Sequence, residues 1–255
     1  MKKLLTTLAC GAMLTSVASA DMMRIEGGAG IWQQKSSGDA SYTEIGYDGA
    51  YKSKEDTYNE GYIWLMIKHP IPIVPNLRVE YVGINDEGSI SGKFKDYNVP
   101  IGTVTKAKYE MKQYDIIPYY NILDNTGWTT IDLGIDLKVI DSKYEAYNVL
   151  DNITNLSTTY SDSSTVAVPL LYVRARVEFP YNMAIEGIAK YIGYGDTHII
   201  DTVAKFDYTM EFVPVVHPAI EVGYRYQSYK FDEDDSDGKV DLKFGGFFAG
   251  VMLRY

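Results

Sequence analysis

Arg174 and Arg176 stand two residues apart in a segment where apolar and polar side chains alternate. If that segment is a strand, both guanidinium groups project from one face and repel each other unless carboxylates meet them. The polar positions of similar segments carry both signs. Arg78, Lys138, Lys190, Arg225 and Arg254 are the other cations; Glu26, Glu80, Asp132, Asp136, Glu178, Glu186 and Glu221 are the anions. Such a set can neutralise itself inside a low-dielectric interior or line a path for ions. The neighbours of 167–179 in an up-and-down sheet are 128–145 and 183–194, which places Asp132, Asp136 and Glu186 beside the two arginines. Glu80, Glu221 and Arg225 extend the expected network.

Two other sets of residues invite a chemical reading. Asp196, His198 and Asp201 would suit a hydrolase, in which an imidazole activates a nucleophile or water. Alternation puts Asp196 and His198 on one face and Asp201 on the other, so no ready-made triad is visible and catalysis is not expected. His69 and His217 each precede a proline and read as turn residues. The run from Asp232 to Gly238 is acidic, and Glu233, Asp235, Asp237 and Gly238 have part of a calcium-loop spacing. The closing bidentate glutamate is missing, so a solvated loop is the expectation and no metal or cofactor is implied.

The elements that must position these residues are strands. Ile131, Leu133, Ile135, Leu137 and Val139 alternate with Asp132, Gly134, Asp136 and Lys138, and the pattern repeats at 171–179 and 219–227. Ten such segments lie near 23–34, 59–69, 76–85, 104–120, 128–145, 167–179, 183–194, 197–212, 218–231 and 239–255. Short, proline-rich connections at 70–75, 121–127, 180–182 and 213–217 alternate with polar ones at 35–58, 86–103, 146–166 and 232–238, with a tight turn at 195–196. Proline lacks a ladder N–H and collects where pairing stops. Short turns on one side and long loops on the other predict an all-β, up-and-down antiparallel transmembrane barrel of about ten strands. Eight strands, or twelve if 41–51 or 152–160 adds a hairpin, are the alternatives.

A lipocalin-like soluble barrel has the same alternation with its apolar face inward. The loop asymmetry argues against it, as does charge: a lipid-facing cation costs about 2–4 kcal/mol at the bilayer midplane, so the polar face must line the lumen. The segment from Phe247 to Tyr255 puts Phe247, Ala249, Val251, Leu253 and Tyr255 on one face. It resembles the terminal insertion signal of outer-membrane barrels through Gly250, Leu253 and Tyr255, with Phe248 replacing the usual polar residue. Val240, Leu242 and Phe244 are out of phase with Phe247, which predicts a bulge at Gly245-Gly246. Gly27, Gly28 and Gly30 read as backbone devices for curvature.

Lys2 and Lys3, an apolar stretch from Leu4 to Val17, and Ala18-Ser19-Ala20 predict a signal peptide over 1–20 and a barrel domain over 21–255. Acylation at Cys10 is the weaker alternative, because Thr7-Leu8-Ala9 is a poor lipoprotein box. Cleavage after Ala20 removes the single cysteine and with it any disulfide. No later segment has the roughly 18 apolar residues of a membrane helix. The net charge of −10 disfavours nucleic acid. The 23 tyrosines suit two membrane interfaces.

The stretch from His69 to Arg78, with Pro70, Pro72, Pro75 and Asn76, resembles the turn of an uncharacterised family of Gram-negative outer-membrane β-barrels named for a glycine pair. Tyr119 to Asn125, Asp132-Leu133-Gly134, Val168 to Tyr172 and the order of the closing strands carry the same resemblance. It implies an outer-membrane barrel and no assigned activity. The implied surroundings are outer-membrane lipid, lipopolysaccharide and the barrel assembly machinery, with a monomeric chain. A structural or surface-interaction barrel with a side-chain-plugged lumen is the first functional expectation, its loops 35–58, 86–103 and 146–166 meeting partners. A narrow channel for small solutes is the second, and a rim hydrolase the third.

Overall fold

A computed structural model describes residues 23–44, 47–71, 73–93, 97–99, 105–123, 128–151, 157–212, 215–232 and 238–255. The expected signal peptide and residues 233–237 of the acidic loop lie outside them. The strands are β1 (Arg24–Glu44), β2 (Tyr47–Ser53), β3 (Thr57–Lys68), β4 (Asn76–Lys93), β5 (Tyr97–Asn98), β6 (Thr105–Leu123), β7 (Thr129–Asp151), β8 (Ser157–Phe179), β9 (Met183–Tyr194), β10 (Thr197–Thr209), β11 (His217–Asp232) and β12 (Gly238–Arg254). All pairings are antiparallel, and β1 pairs with β12, from Glu26 opposite Arg254 to Tyr42 opposite Gly238. That ladder closes the sheet into a barrel.

The wall has ten strands, because β2 and β3 share one place between β1 and β4, and β5 and β6 share one between β4 and β7. β2 and β3 are separated by Lys54 to Asp56, where Glu55 adopts a φ of 61° and the Lys54 N–H donates to the Glu87 carbonyl at 3.0 Å. The described parts of 41–51 and 152–160 add no further wall strand, because they belong to β1, β2 and β8. The three long loops expected from the sequence are largely strand. Residues 35–44, 47–53, 86–93, 146–151 and 157–166 extend the barrel beyond its apolar band. From Thr158 to Ala167 both faces of the extension are largely exposed, so its Ser, Thr and Tyr need not alternate with apolar residues, whereas Tyr51, Ser53, Asp86, Ile90, Ala146 and Val149 are buried on the inner face. The period-two signal therefore disappears while the strand continues.

The outer face of the lower wall is apolar. Ile63, Leu65, Ile116, Leu133, Ile135, Leu137, Leu171, Ile185, Ile220, Val222, Val251 and Leu253 are all exposed on it. Rings bracket this band. Tyr120, Trp128, Phe179, Tyr181, Tyr208 and Tyr255 lie exposed toward the end with the short turns, and Tyr114, Tyr191, Tyr224 and Phe247 toward the tall end. A band about 25 Å high with aromatic girdles is the outer surface of a membrane barrel.

The interior is filled in layers. Toward the tall end it is apolar, with Trp32, Ile84, Ile90, Met111, Leu170, Ile199, Leu242 and Phe244 in one buried cluster. Trp64, Met66, Ile117, Tyr119, Tyr172 and Met252 form a second cluster. The upper layer explains why no bulge occurs at Gly245-Gly246, where the ladders to β1 and β11 run unbroken. Leu242 and Phe244 point inward and Phe247 outward, so the environment changes along the strand while the backbone alternation does not. Phe248 also points inward, its ring 5.4 Å from that of Tyr62 at 78°.

Candidate functional site

The charged groups inside the barrel are placed by strand register. Asp132 is opposite Arg174 in the β7–β8 ladder, and Arg176 is opposite Glu186 in the β8–β9 ladder. Arg174 donates from Nη1 to Asp132 at 2.6 Å and from Nη2 to Glu186 at 2.7 Å. Arg176 donates through Nη1 and Nη2 to Asp207 at 2.6 and 3.1 Å, and lies 3.4 Å from Glu186. The two like charges are thus separated by a shared carboxylate and each takes a second one of its own.

This group continues around the mouth at the turn end. Asn76 donates to Asn121 at 2.9 Å, and Asn121 donates to Asp132 at 2.5 Å. On the other side Arg254 pairs with Asp207 at 2.9 Å and Glu26 at 3.2 Å, and Arg24 pairs with Glu26 at 2.5 Å. Residues from β4, β6, β7, β8, β9, β10, β12 and β1 therefore form one belt. His69 organises the adjoining turn: its N–H donates to Asn76 Oδ1 at 3.0 Å, and its Nδ1 accepts from the Ile71 N–H at 3.2 Å.

A second group crosses the lumen. Lys190 donates to Glu80 at 2.7 Å and also to Asp115. Lys138 donates to Asp115 at 2.8 Å and Asp201 at 3.1 Å, and Arg225 binds Asp201 through two nitrogens at 3.1 and 2.6 Å. Gln113 and Gln227 exchange amide hydrogen bonds at 3.1 and 3.0 Å. Glu221 accepts from Tyr62 at 2.8 Å, Trp64 at 3.2 Å and Lys205 at 2.9 Å. Arg78, bonded to Glu80 at 2.5 Å and 4.0 Å from Glu186, connects the crossing group to the belt. A cavity of about 30 Å³ remains beside Trp32, Trp64, Arg225 and Glu221, room for roughly two waters.

Asp136 does not join the arginines. It is fully buried beside Lys190 at 3.7 Å, and neither carboxylate oxygen has a hydrogen-bond partner among the described residues. It sits four residues along β7 from Asp132, on the same face, and that is too far from Arg174 for contact. Asp115, Asp201, Lys205 and Asp207 belong to the network although sequence reading did not place them there. In β10 the inward face mixes Ile199 and Val203 with Asp201, Lys205 and Asp207, which hides the pattern. Buried Asp86 was also missed. It accepts from Ser36 at 2.6 Å, Tyr51 at 2.6 Å and Ser53 at 3.0 Å.

Asp201 is buried in its ion pairs inside the barrel, while His198, opposite Lys230, lies on the other face of β10 and Asp196 is exposed in the β9–β10 turn. The structure does not bring these three together. Glu233, Asp235 and Asp237 are outside the described residues; among the described residues no His, Cys, Asp and Glu group has a metal-binding arrangement. Gly250 faces the lumen under the Tyr62 hydroxyl, Leu253 faces outward, and Tyr255 exchanges backbone hydrogen bonds with Ile25 at 2.9 and 3.0 Å. On the tall extension Glu145 is held below the usual carboxylate range by hydrogen bonds from Lys143 and Tyr147.

Fold and site define a closed, ten-stranded antiparallel β-barrel with an apolar exterior and a charge-filled lumen. The chain matches no family model and no curated protein. Among solved structures it is similar to the outer-membrane protease OmpT of Escherichia coli, at 10% identity and a TM-score of 0.47, over 93% of this chain and 97% of that one. It is also similar to the translocator domain of the autotransporter NalP of Neisseria meningitidis, at 11% and 0.42, over 100% and 96%. The toluene transporter TodX of Pseudomonas putida follows at 9% and 0.31, over 94% and 91%.

Proposed function

We propose that this protein is a non-catalytic outer-membrane barrel whose lumen is closed by its own side chains and whose tall wall meets partners outside the cell. The apolar band and its aromatic girdles support the membrane location, and short turns opposite tall extensions support reading the turn end as periplasmic. One observation carries the closed-lumen reading. Lys190, from β9, binds Glu80 of β4 and Asp115 of β6, which lie across the barrel. Opening a continuous path would strip charged partners from one another in a low-dielectric space, and each broken pair costs about 3–5 kcal/mol. Membership of the glycine-pair family, read from the turn between His69 and Arg78, is part of this proposal. Gly250, Leu253 and Tyr255 are read as the signal for the assembly machinery, with lipid and lipopolysaccharide around a monomeric barrel.

Conductance of the refolded protein in planar bilayers tests the proposal. A closed lumen gives no steady current at moderate voltage. A steady, ion-selective current would support a narrow channel instead.

A further inference from the structure

The barrel wall is uneven at its tall end. β9 and β10 turn back at Gly195-Asp196, with Gly195 at a φ of 58°, whereas β8 continues upward from that level for more than ten residues. The β7–β8 ladder extends to Ser157, but the β8–β9 ladder stops at Leu171 opposite Tyr191. The next residue of β8 that would bond to β9 is Pro169, which has no N–H to offer. Above it, among the described residues, no strand pairs with the edge of β8 that faces away from β7.

Two details fix which residues present that edge. Pro169 ends the ladder on the β9 side, and the Ser163 N–H donates to the side chain of its neighbour Asp162 at 2.8 Å. Both are odd-numbered positions, and backbone groups of a strand alternate between its two sides. Ser161, Ser163, Thr165 and Ala167 therefore turn their backbone groups to the open side. Ser164 faces β7, where its carbonyl accepts from the Ser142 hydroxyl at 3.1 Å. Over 161–168, roughly 26 Å of strand at about 3.3 Å per residue, the only charge is Asp162. Exposed edges are ordinarily blunted by lysine, proline or a bulge, because the row of free N–H and C=O groups templates another strand.

We propose that this edge of β8 is a docking strand, to which an extended polypeptide segment of a partner adds antiparallel in the place a longer β9 would fill. The recognising chemistry is main-chain hydrogen bonding, which only another extended backbone can match along its length. Tyr194, 93% exposed at the foot of the slot, supplies a ring for a partner side chain. A second barrel is not the occupant, since β9 stands beside β8 just below the slot in both copies and keeps the two edges apart. The site does not depend on whether the lumen conducts, so conductance and docking are tested separately.

The test uses the full refolded protein in detergent micelles and a fluorescent, end-capped octapeptide of alternating Thr and Val, flanked by lysines. Saturable binding by fluorescence anisotropy is expected, weakened at least tenfold when alternate peptide residues are N-methylated. Thr165→Pro removes an N–H from the open edge without touching the β7 ladder. It should weaken binding similarly while leaving the heat-dependent gel shift of the folded barrel unchanged. If that variant does not fold, the two peptides on the unaltered protein still decide. Absence of saturable binding, or equal binding of the N-methylated peptide, would overturn the proposal.

Discussion

Lys190 and Glu80 meet at 2.7 Å although three wall strands, β6, β7 and β8, separate β9 from β4. The contact is a chord across the barrel. Lys190→Met removes the cation shared by Glu80 and Asp115 and leaves Asp136 without its nearest charge. The expected loss is about 3–5 kcal/mol, read as a lower temperature for the heat-dependent shift in gel migration. A variant as stable as the parent would mean that Lys190 is not buried in this network.

Asp132 and Asp136 share a face of β7 but should respond oppositely. Asp132→Asn deprives Arg174 of a carboxylate at 2.6 Å and should destabilise the barrel by about 3 kcal/mol or more. Asp136→Asn removes a carboxylate that accepts no hydrogen bond among the described residues, and should be neutral within about 1 kcal/mol or stabilising. Urea unfolding in micelles measures both. Equal losses for the pair would contradict the assignment.

Lysine should not replace Arg176 without loss. Arg176 grips both oxygens of Asp207 through two nitrogens, and a single ammonium cannot reproduce that fork. Arg176→Lys is expected to lose about half of the stability that Arg176→Ala loses. Full rescue by lysine would show that charge alone, without the bidentate geometry, holds Asp207.

Gly28 makes room for an aromatic ring. A Cβ built there would fall 2.6 Å from Trp64 Nε1, the atom that donates to Glu221. Gly28→Val should displace the indole and cost about 1–3 kcal/mol through overpacking, with a shift in tryptophan emission. Unchanged emission and stability would mean that the ring has free space elsewhere.

How much of this was legible in the sequence follows from where the physics imposes a period. In the membrane band one face must be apolar and the other polar, so strands such as 131–139 declare themselves. Beyond the band both faces of residues 157–168 can be wet, and the strand leaves no alternating trace. Cross-lumen partners were harder still. Arg174 and Asp132 are ladder neighbours and could be inferred from strand order, whereas Lys190 with Glu80 depends on barrel closure and diameter. The inward Phe244 and Phe248 looked like a broken pattern because the lumen itself changes from charged to apolar along β12.

The most direct test of the closed lumen is single-channel recording on the unaltered barrel beside Lys190→Ala in the same bilayers. Side-chain closure predicts a silent parent and a variant with intermittent current, since removing Lys190 cuts the chords from β9 to β4 and β6. Steady ohmic current from the parent, unchanged by the substitution, would contradict it.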